Sequence, residues 1–207
     1  MKRGTGVLAD QLSQRVELLK LQYDEEKRAY AWERRRQCWA AVETDVKKVV
    51  FSAEGISTEG AAVTVRPDAA LNLRQAIRWK EQFLLPVTIT PEEGRDRQTV
   101  TAAQCDCTEL TVQPQARTGR DSLNRPVAIK ADSFTFPGIL VEKYNRNEAD
   151  DVSRTLTQQR ALVTPKEIIL RAGDLVRKGD EPPYTVRQVL DLDPNRNEYV
   201  IERSWDI

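Results

Sequence analysis

Apolar and polar residues alternate along most of the chain, and this period of two predicts β-strands rather than helices. In FLLPVTI, residues 83–89, every second residue is apolar, so one face of the strand would be hydrophobic. Pro86 lies within this stretch and has no N–H for a strand ladder, which predicts a sheet edge or a bulge there. Short strands separated by turn residues, with little helix, predict an all-β, mainly antiparallel fold of two small β-barrel or β-sandwich modules with long loops.

One strand–turn–strand pattern occurs at two places in the chain. It is AIRWKEQFLLPVTI in residues 76–89 and DLVRKGDEPPYTVRQV in residues 174–189, with Phe83 or Tyr184 near the start of the second strand. Alternating strands resemble one another by composition alone, so such a likeness is weaker than a true repeat array. The pattern leaves two alternatives open, which are an internal duplication and two unrelated hairpins.

Composition predicts a boundary near the middle of the chain. The stretch PQARTGRDSLNRP, residues 114–126, is polar and rich in turn residues and is the candidate linker. It separates a predicted first module, residues 1–115, from a second β-rich module, residues 116–207, which is a candidate divergent duplicate of the first. Within the first module, residues 44–60 combine small residues, two glycines and scattered charge. They predict a long, mobile loop between strands.

Three further stretches bear on where the strands lie and which way their side chains face. LNLRQAIRW, residues 71–79, is predicted as a strand from its alternation, although its apolar residues would also form a helical stripe. DEEKRAYAWERRR, residues 24–36, is predicted as a solvent-facing connection, because runs of charge are usually hydrated. In QCWAAVE, alternation predicts that Ala40 faces one side of a strand and Trp39 the other.

Composition also narrows the function. Lys and Arg (32) balance Asp and Glu (32), whereas a protein that relies on nonspecific duplex binding usually has a basic excess. There is no histidine, which removes the commonest general base and transition-metal ligand. Three cysteines without a framework spacing fit a reducing compartment. No apolar run suits a signal peptide or a membrane span, so we expect a protein kept in a cytoplasm or built into something assembled there.

The sharpest motif-like stretch is DLDPNRNEYVIE, residues 191–202. Oxygen-bearing side chains stand at positions one, three, five, seven and twelve of a calcium-loop pattern, namely Asp191, Asp193, Asn195, Asn197 and Glu202. Arg196 stands where that loop needs glycine, and the flanks have the pattern of strands rather than helices. The favoured interpretation is a hairpin turn, because Asp and Asn side chains bond their own backbone.

The cysteines are weak metal-site candidates. Cys105 and Cys107 would share one face of a strand, but only Cys38 could join them, whereas a structural zinc site usually has four Cys or His ligands. Small residues packed in the wall of a sheet are the favoured interpretation, because free cysteine is often buried.

No catalytic arrangement stands out in the sequence. The chain has no P-loop, no Rossmann glycine pattern and no serine-hydrolase motif. The acidic pairs at residues 92–93 and 150–151 lie in polar stretches, and nothing singles out either pair. We therefore predict no enzyme, with no catalytic, cofactor-binding or metal-binding residues, while a hydrolase that uses carboxylates alone stays open.

Arg34, Arg35 and Arg36 lie between Trp32 and Trp39. Basic and aromatic side chains together can hold single-stranded nucleic acid, through phosphate contacts and base stacking. A hydrated face with inward-packed aromatics is the favoured interpretation, because the balanced net charge gives nucleic acid no support. A protein of two OB-like barrels that binds single-stranded nucleic acid is kept as the alternative function.

Taken in order, several stretches resemble the head-closure proteins of long-tailed bacteriophages, also called head–tail joining or stopper proteins. These stretches are QLSQRVELLKLQY, CWAAVE, VTVRPDAALNLRQAIRWKEQFLLPVTI and RQTVTAAQC, and the resemblance covers residues 11–112. No single motif is specific to this family, but the series of motifs in this order is more specific than any one of them. The chain departs from the family pattern at Lys80 and Glu81, where a glycine or turn pair is usual, and by its second β-rich module.

The resemblance implies a small β-barrel whose long loop is residues 44–60. Copies of such a protein form a ring below the portal, which closes the DNA-filled capsid and docks the tail. The implied product is a structural virion protein of the head–tail connector, assembled in the bacterial host cytoplasm. Its implied partners are further copies of itself, the portal or adaptor ring and a tail-tube or tail-terminator protein. The end of the packaged DNA is a further candidate partner, and no cofactor or membrane is implied.

Overall fold

The structure is a computed structural model that describes residues 12–52, 55–92, 94, 96–120, 123–129, 131–142, 155–191 and 193–206. All helix- or strand-type structure in these residues is β-strand, and most strand pairs are antiparallel, so the predicted all-β fold is confirmed. Within the same residues, no helix has the length and hydropathy of a membrane span.

The chain forms two compact units. In the described residues, the first unit comprises 12–22 and 32–106, and the second comprises 23–31 and 107–206. Residues 23–31 belong to the second unit, where Ala29 pairs in parallel with Thr135. The predicted first module ended at residue 115, whereas the strand that begins at Cys107 pairs with strands of the second unit.

Six strands of the first unit close into a ring. They are β1 (Gln14–Asp24), β2 (Ala29–Val50), β3 (Ser57–Val65), β4 (Ala76–Trp79), β5 (Gln82–Pro91) and β6 (Gln98–Cys105). The order of pairing is β1–β4–β5–β6–β3–β2, and β2 pairs with β1 again. Alternation along these strands turns apolar side chains inward. The resulting core is Val16, Leu18, Ala40, Val42, Ala61, Val63, Val65, Leu71, Ile77, Leu84, Val100 and Ala102.

The second unit has a ring of its own. Its strands are β7 (Cys107–Gln113), β8 (Arg117–Arg120), β9 (Pro126–Ile129), β10 (Phe134–Glu142), β11 (Thr155–Pro165), β12 (Leu175–Arg177), β13 (Tyr184–Leu190) and β14 (Arg196–Asp206). The ring order is β7–β10–β11–β14–β13–β12, and β12 pairs with β7 again, while β8 and β9 form a separate hairpin. Its buried side chains include Leu110, Phe136, Leu162, Ile168, Leu170, Tyr184, Tyr199 and Ile201.

The two rings have the same strand order. In each, the first strand pairs with the second and the fourth, and the sixth strand pairs with the third and the fifth. The β8–β9 hairpin is an addition between the first and second strands of the second ring. The pattern that occurs twice in the sequence forms β4–β5 in one unit and β12–β13 in the other. Composition alone does not produce a shared ring order, so the duplication alternative is favoured over unrelated hairpins.

A shared turn strengthens the likeness between the units. Just before β4, the Gln75 N–H donates to the Asn72 carbonyl oxygen (3.3 Å), and just before β12, the Asp174 N–H donates to the Arg171 carbonyl oxygen (3.0 Å). Both Gln75 and Asp174 are buried polar residues. The third and fourth strands of each ring are thus connected by a loop that ends in the same way.

The predicted loop at residues 44–60 is wrong for most of its length. β2 continues to Val50 and β3 begins at Ser57, so that the connection is only residues 51–56. The β2–β3 pairing shifts register after Glu43 and again before Val49. Such bulges let a strand continue through an irregular apolar pattern, which hides its alternation from sequence inspection.

The predicted strand at residues 71–79 is also wrong in its first half, because β4 begins only at Ala76. Residues 68–75 form successive turns instead. Asp68 Oδ1 accepts from the Ala70 N–H (2.9 Å), and Asn72 Oδ1 accepts from the Arg74 N–H (3.0 Å). Side chains of this kind bond their own backbone and so compete with strand pairing.

The predicted linker at residues 114–126 contains strand β8 and the first residue of β9. Arg117 pairs with Ile129 and Arg120 with Pro126, so that this stretch is one side of a hairpin. The linker prediction is wrong because Gly119 and Pro126, which suggested it, lie in the paired strands, while Asn124 with its φ of 63° lies in the turn between them.

Two other predictions are settled by the strand pairing. The β5–β6 register shifts between Pro86 and Thr88, which confirms the predicted bulge. The solvent-facing connection predicted for residues 24–36 is confined to a turn at residues 25–28, where Asp24 Oδ1 accepts from the Lys27 N–H (3.0 Å). The chain returns to strand at Ala29, and its charged side chains project from that strand into water.

A buried hydrogen-bond network holds the loop between β11 and β12. The Tyr199 hydroxyl donates to the Ile168 carbonyl oxygen (2.7 Å) and accepts from the Leu170 N–H (3.0 Å). Nδ2 of Asn197 donates to the carbonyl oxygens of Lys166 (2.9 Å) and Ile168 (2.8 Å). Tyr199 is only 1% exposed, so water cannot replace these bonds if they are lost.

Replacing Tyr199 with Phe is expected to lower the free energy of unfolding by about 1–3 kcal/mol, because the buried Leu170 N–H would lose its partner. Urea denaturation of the full chain measures the change. The control is Tyr23→Phe, since Tyr23 is 47% exposed. Equal stability of the two variants would contradict the role assigned to Tyr199.

Candidate functional site

A cleft of the first unit lies beside β1, β2 and the end of β3, and its volume is about 580 Å³. Leu18 and Val65, which are 1% and 2% exposed, contribute its apolar lining. Arg36, Trp39 and Arg66 contribute its polar and aromatic lining. An apolar lining with a few polar groups is the usual composition of a binding site.

Trp39 lies at this cleft because of the alternation of β2. Ala40 is fully buried, whereas Trp39 is 51% exposed, so the predicted division of the two residues between opposite faces is confirmed. The Arg15 guanidinium lies 5.0 Å from the centroid of the Trp39 ring. A cation at this distance is attracted by the ring face, and such exposed pairs contribute about 0.5–1 kcal/mol.

The three consecutive arginines are engaged within the first unit. Arg34 Nη1 lies 3.3 Å from Glu17, and Arg36 Nη1 lies 3.1 Å from Asp68. Arg35 Nη1 donates to a backbone carbonyl oxygen, that of Ala70, at 3.1 Å. The arginine side chains of these two ion pairs are more than half exposed, so each pair adds little to stability. They do connect β2 to β1 and to the loop before β4.

Trp32 does not join Trp39 at the cleft. Its ring centroid lies 5.9 Å from that of Phe83, on β5. Trp32 and Trp39 are separated by an odd number of positions on one strand, which places them on opposite faces. Of the two tryptophans considered from the sequence for a nucleic-acid site, only Trp39 therefore lies at the cleft.

Arg66 is the residue of the cleft that sequence inspection missed. It follows β3 directly and is exposed, and it forms no ion pair with any residue that the structure describes. Its signal in the sequence is slight, because it only ends the VTVR stretch and stands before Pro67. An arginine that forms no ion pair and lies beside an apolar surface can bind a carboxylate or phosphate group of a partner.

The three cysteines lie in different surroundings. Cys38 lines the cleft, whereas Cys105 ends β6 in the first unit and Cys107 begins β7 in the second. The predicted common strand face for Cys105 and Cys107 is therefore wrong, because Asp106 separates two strands. Burial raises the pKa of the Cys38 thiol above its ordinary value, and the nearby Arg36 guanidinium opposes part of this rise.

The calcium-loop residues belong to the β13–β14 hairpin, which confirms the turn interpretation. The Asn195 N–H donates to Asp193 Oδ1 (2.7 Å), as in a turn closed by its own side chain. Asn197 is directed to the loop before β12, and Glu202 accepts from Arg187. The five oxygen-bearing side chains are thus divided between different partners rather than directed at one point.

The acidic pairs do not form a site in the described part of the chain. Glu92 Oε1 accepts from the Thr99 hydroxyl at 2.6 Å, while Glu93 and the pair at residues 150–151 lie outside the described residues. Among the residues described, no group of three or more Cys, Asp or Glu side chains could hold a metal ion.

Comparisons with known proteins return no match. No family model matches the chain, and neither the curated proteins nor the solved structures include a similar protein.

The raised pKa of Cys38 predicts slow alkylation. In the variant C105S/C107S, the rate of reaction with iodoacetamide should reach half its maximum at a higher pH in the folded chain than in urea, because the thiolate is the reactive form. R36Q should raise this midpoint further, since the guanidinium that favours the thiolate is removed. A folded midpoint at or below the unfolded one would contradict the burial of the thiol.

Proposed function

We propose that this chain is a structural protein of a phage head–tail connector, which forms a ring below the portal, closes the DNA-filled capsid and docks the tail. The observation that carries the proposal is that the stretches resembling head-closure proteins occupy successive strands of one closed ring. RVELLKLQY lies in β1, CWAAVE in β2, VTV in β3, AIRW in β4, QFLLPVTI in β5 and QTVTAAQC in β6.

The second unit supports a structural role by its own architecture. It repeats the six-strand ring order and presents another set of loops between the same pairs of strands. Closed rings leave few free strand edges, so contacts with other chains fall to the loops and to exposed side chains. The proposed partners are further copies of the chain, a portal or adaptor ring, and a tail-tube or tail-terminator protein. The end of the packaged DNA is a further proposed contact, and the proposed location is the virion.

Mass spectrometry of purified particles tests this proposal. When a host carrying the gene is induced, we expect the chain in washed particles in an amount comparable to the portal protein, because both would form rings at one vertex. An abundant host protein that is not part of the particle provides the background level. Particles that contain the portal but not this chain would contradict the connector role.

Binding of single-stranded nucleic acid is the second candidate, and the exposed Trp39 beside Arg15 and Arg66 is the observation that favours it. A base could stack on the free ring face while an arginine contacts a phosphate. The neutral net charge opposes this function, because most such proteins attract the backbone with a basic groove.

If the second candidate is correct, a labelled single-stranded oligonucleotide should bind at low salt and dissociate as salt rises. W39A should weaken binding by about fivefold or more, since each stacked base contributes about 1–3 kcal/mol. The control is Y23A, which removes an exposed aromatic ring from the second unit. Equal binding by W39A and Y23A would remove the cleft from consideration as a nucleic-acid site.

A further inference from the structure

The loop between β11 and β12 holds an aliphatic side chain in water. Ile169 is 71% exposed, although its neighbours Ile168 and Leu170 are 0% and 2% exposed. Single exposed aliphatic residues are common on protein surfaces and carry no meaning by themselves. Ile169 differs because both neighbours are fixed by Tyr199, whose hydroxyl bonds the backbone on each side of it. Its exposure is therefore a fixed feature, and docking it would cost little conformational entropy.

The cleft of the first unit offers apolar side chains with an arginine beside them. It is a concave surface, and Leu18, Val65 and Pro67 give it an apolar part that can accept an aliphatic side chain. Its volume of about 580 Å³ accommodates a loop end as well as one side chain. The Ile169 loop and this apolar cleft thus lie on different units of the chain.

Unmatched charges lie beside the projection and the cleft. Near Ile169, Lys166 is paired with Asp191, while Glu167 and Arg171 form no ion pair within the part of the chain that the structure describes. At the cleft, Asp68 is paired with Arg36, as described above, which leaves Arg66 without an acidic partner. Of these two loop charges, Glu167 is the one whose sign complements that of Arg66 in a contact between projection and cleft.

We propose that the Ile169 loop of one copy docks in the Arg36–Trp39–Arg66 cleft of the next copy, with Glu167 paired to Arg66. A projection and a cleft on different surfaces make a head-to-tail contact, which generates a ring if the rotation closes. The proposal rests on the ring of the proposed function, and it names the surfaces by which the copies associate. It also excludes the use of the same cleft for a nucleic-acid base.

Disulfide trapping tests the contact, because Cys38 already lines the cleft. In the full chain carrying C105S, C107S and I169C, oxidation with copper phenanthroline in air should join the introduced thiol to Cys38 of another copy. A head-to-tail contact predicts a ladder of dimers, trimers and larger species on a non-reducing gel. The matched control is L123C in the same background, since Leu123 is another exposed aliphatic residue, 68% exposed, of the second unit.

Charge reversal tests the ion pair within the same assay. R66E should slow the trapping rate by about tenfold, the effect of placing like charges together, and adding E167R should restore it. The control is R171E, because Arg171, like Glu167, stands two residues from Ile169. Reversing its charge should not slow trapping. Three results would overturn the proposal. Trapping could end at dimers, it could equal the L123C background, or R66E could leave it unchanged.

The same variants in particles separate this proposal from the connector role. If the chain is present in particles but oxidised particles of the I169C variant show no links between copies, the docking contact is wrong and the connector role stands. Links from I169C to a portal or tail protein instead of another copy would also overturn the contact. If the purified chain gives a ladder but the chain is absent from particles, the contact is retained and the connector role is rejected.

Discussion

Each unit depends on the pairing of its first strand with two partners at once. β1 pairs with β2 and β4, and β7 pairs with β10 and β12. A first strand with one partner would leave a row of unpaired N–H and C=O groups, which invites pairing with other chains. Closure also lets short strands enclose a core, as where Leu18 of β1 faces Ile77 of β4 and Val112 of β7 faces Val176 of β12. Without these pairs, both cores would be open on one side.

Closure of the rings confines the differences between the two units to their loops and outer faces. The loop before β4 carries Asp68, which is bonded to Arg36 and borders a cleft. In the corresponding loop before β12, the Tyr199 hydroxyl donates to the Ile168 carbonyl oxygen, and the next side chain, Ile169, is exposed. Two units of one design therefore have a concave surface on one and a projection on the other. The proposed head-to-tail contact rests on this difference between the two units.

The sequence predicted those features that depend on neighbouring residues. The alternation of β2 gave the outward Trp39 and the inward Ala40, and the missing N–H of Pro86 gave the bulge in β5. It could not predict the ring order, because closure depends on residues as far apart as Leu18 and Ile77. The run of charge around Arg36 also made part of the long β2 strand resemble a connection, because its ion-pair partners Glu17 and Asp68 lie on other elements. The cleft was missed for the same reason, because its residues come from separate strands.

The closing strand pairs are the most direct test of this account. Nuclear Overhauser effects between backbone protons would report the Leu18–Ile77 pair in the first unit and the Val112–Val176 pair in the second. The account predicts both sets, together with those of interior pairs such as Val63–Val100. Clear effects from Val63–Val100 without those of either closing pair would show an open sheet, and would contradict two rings of the same order.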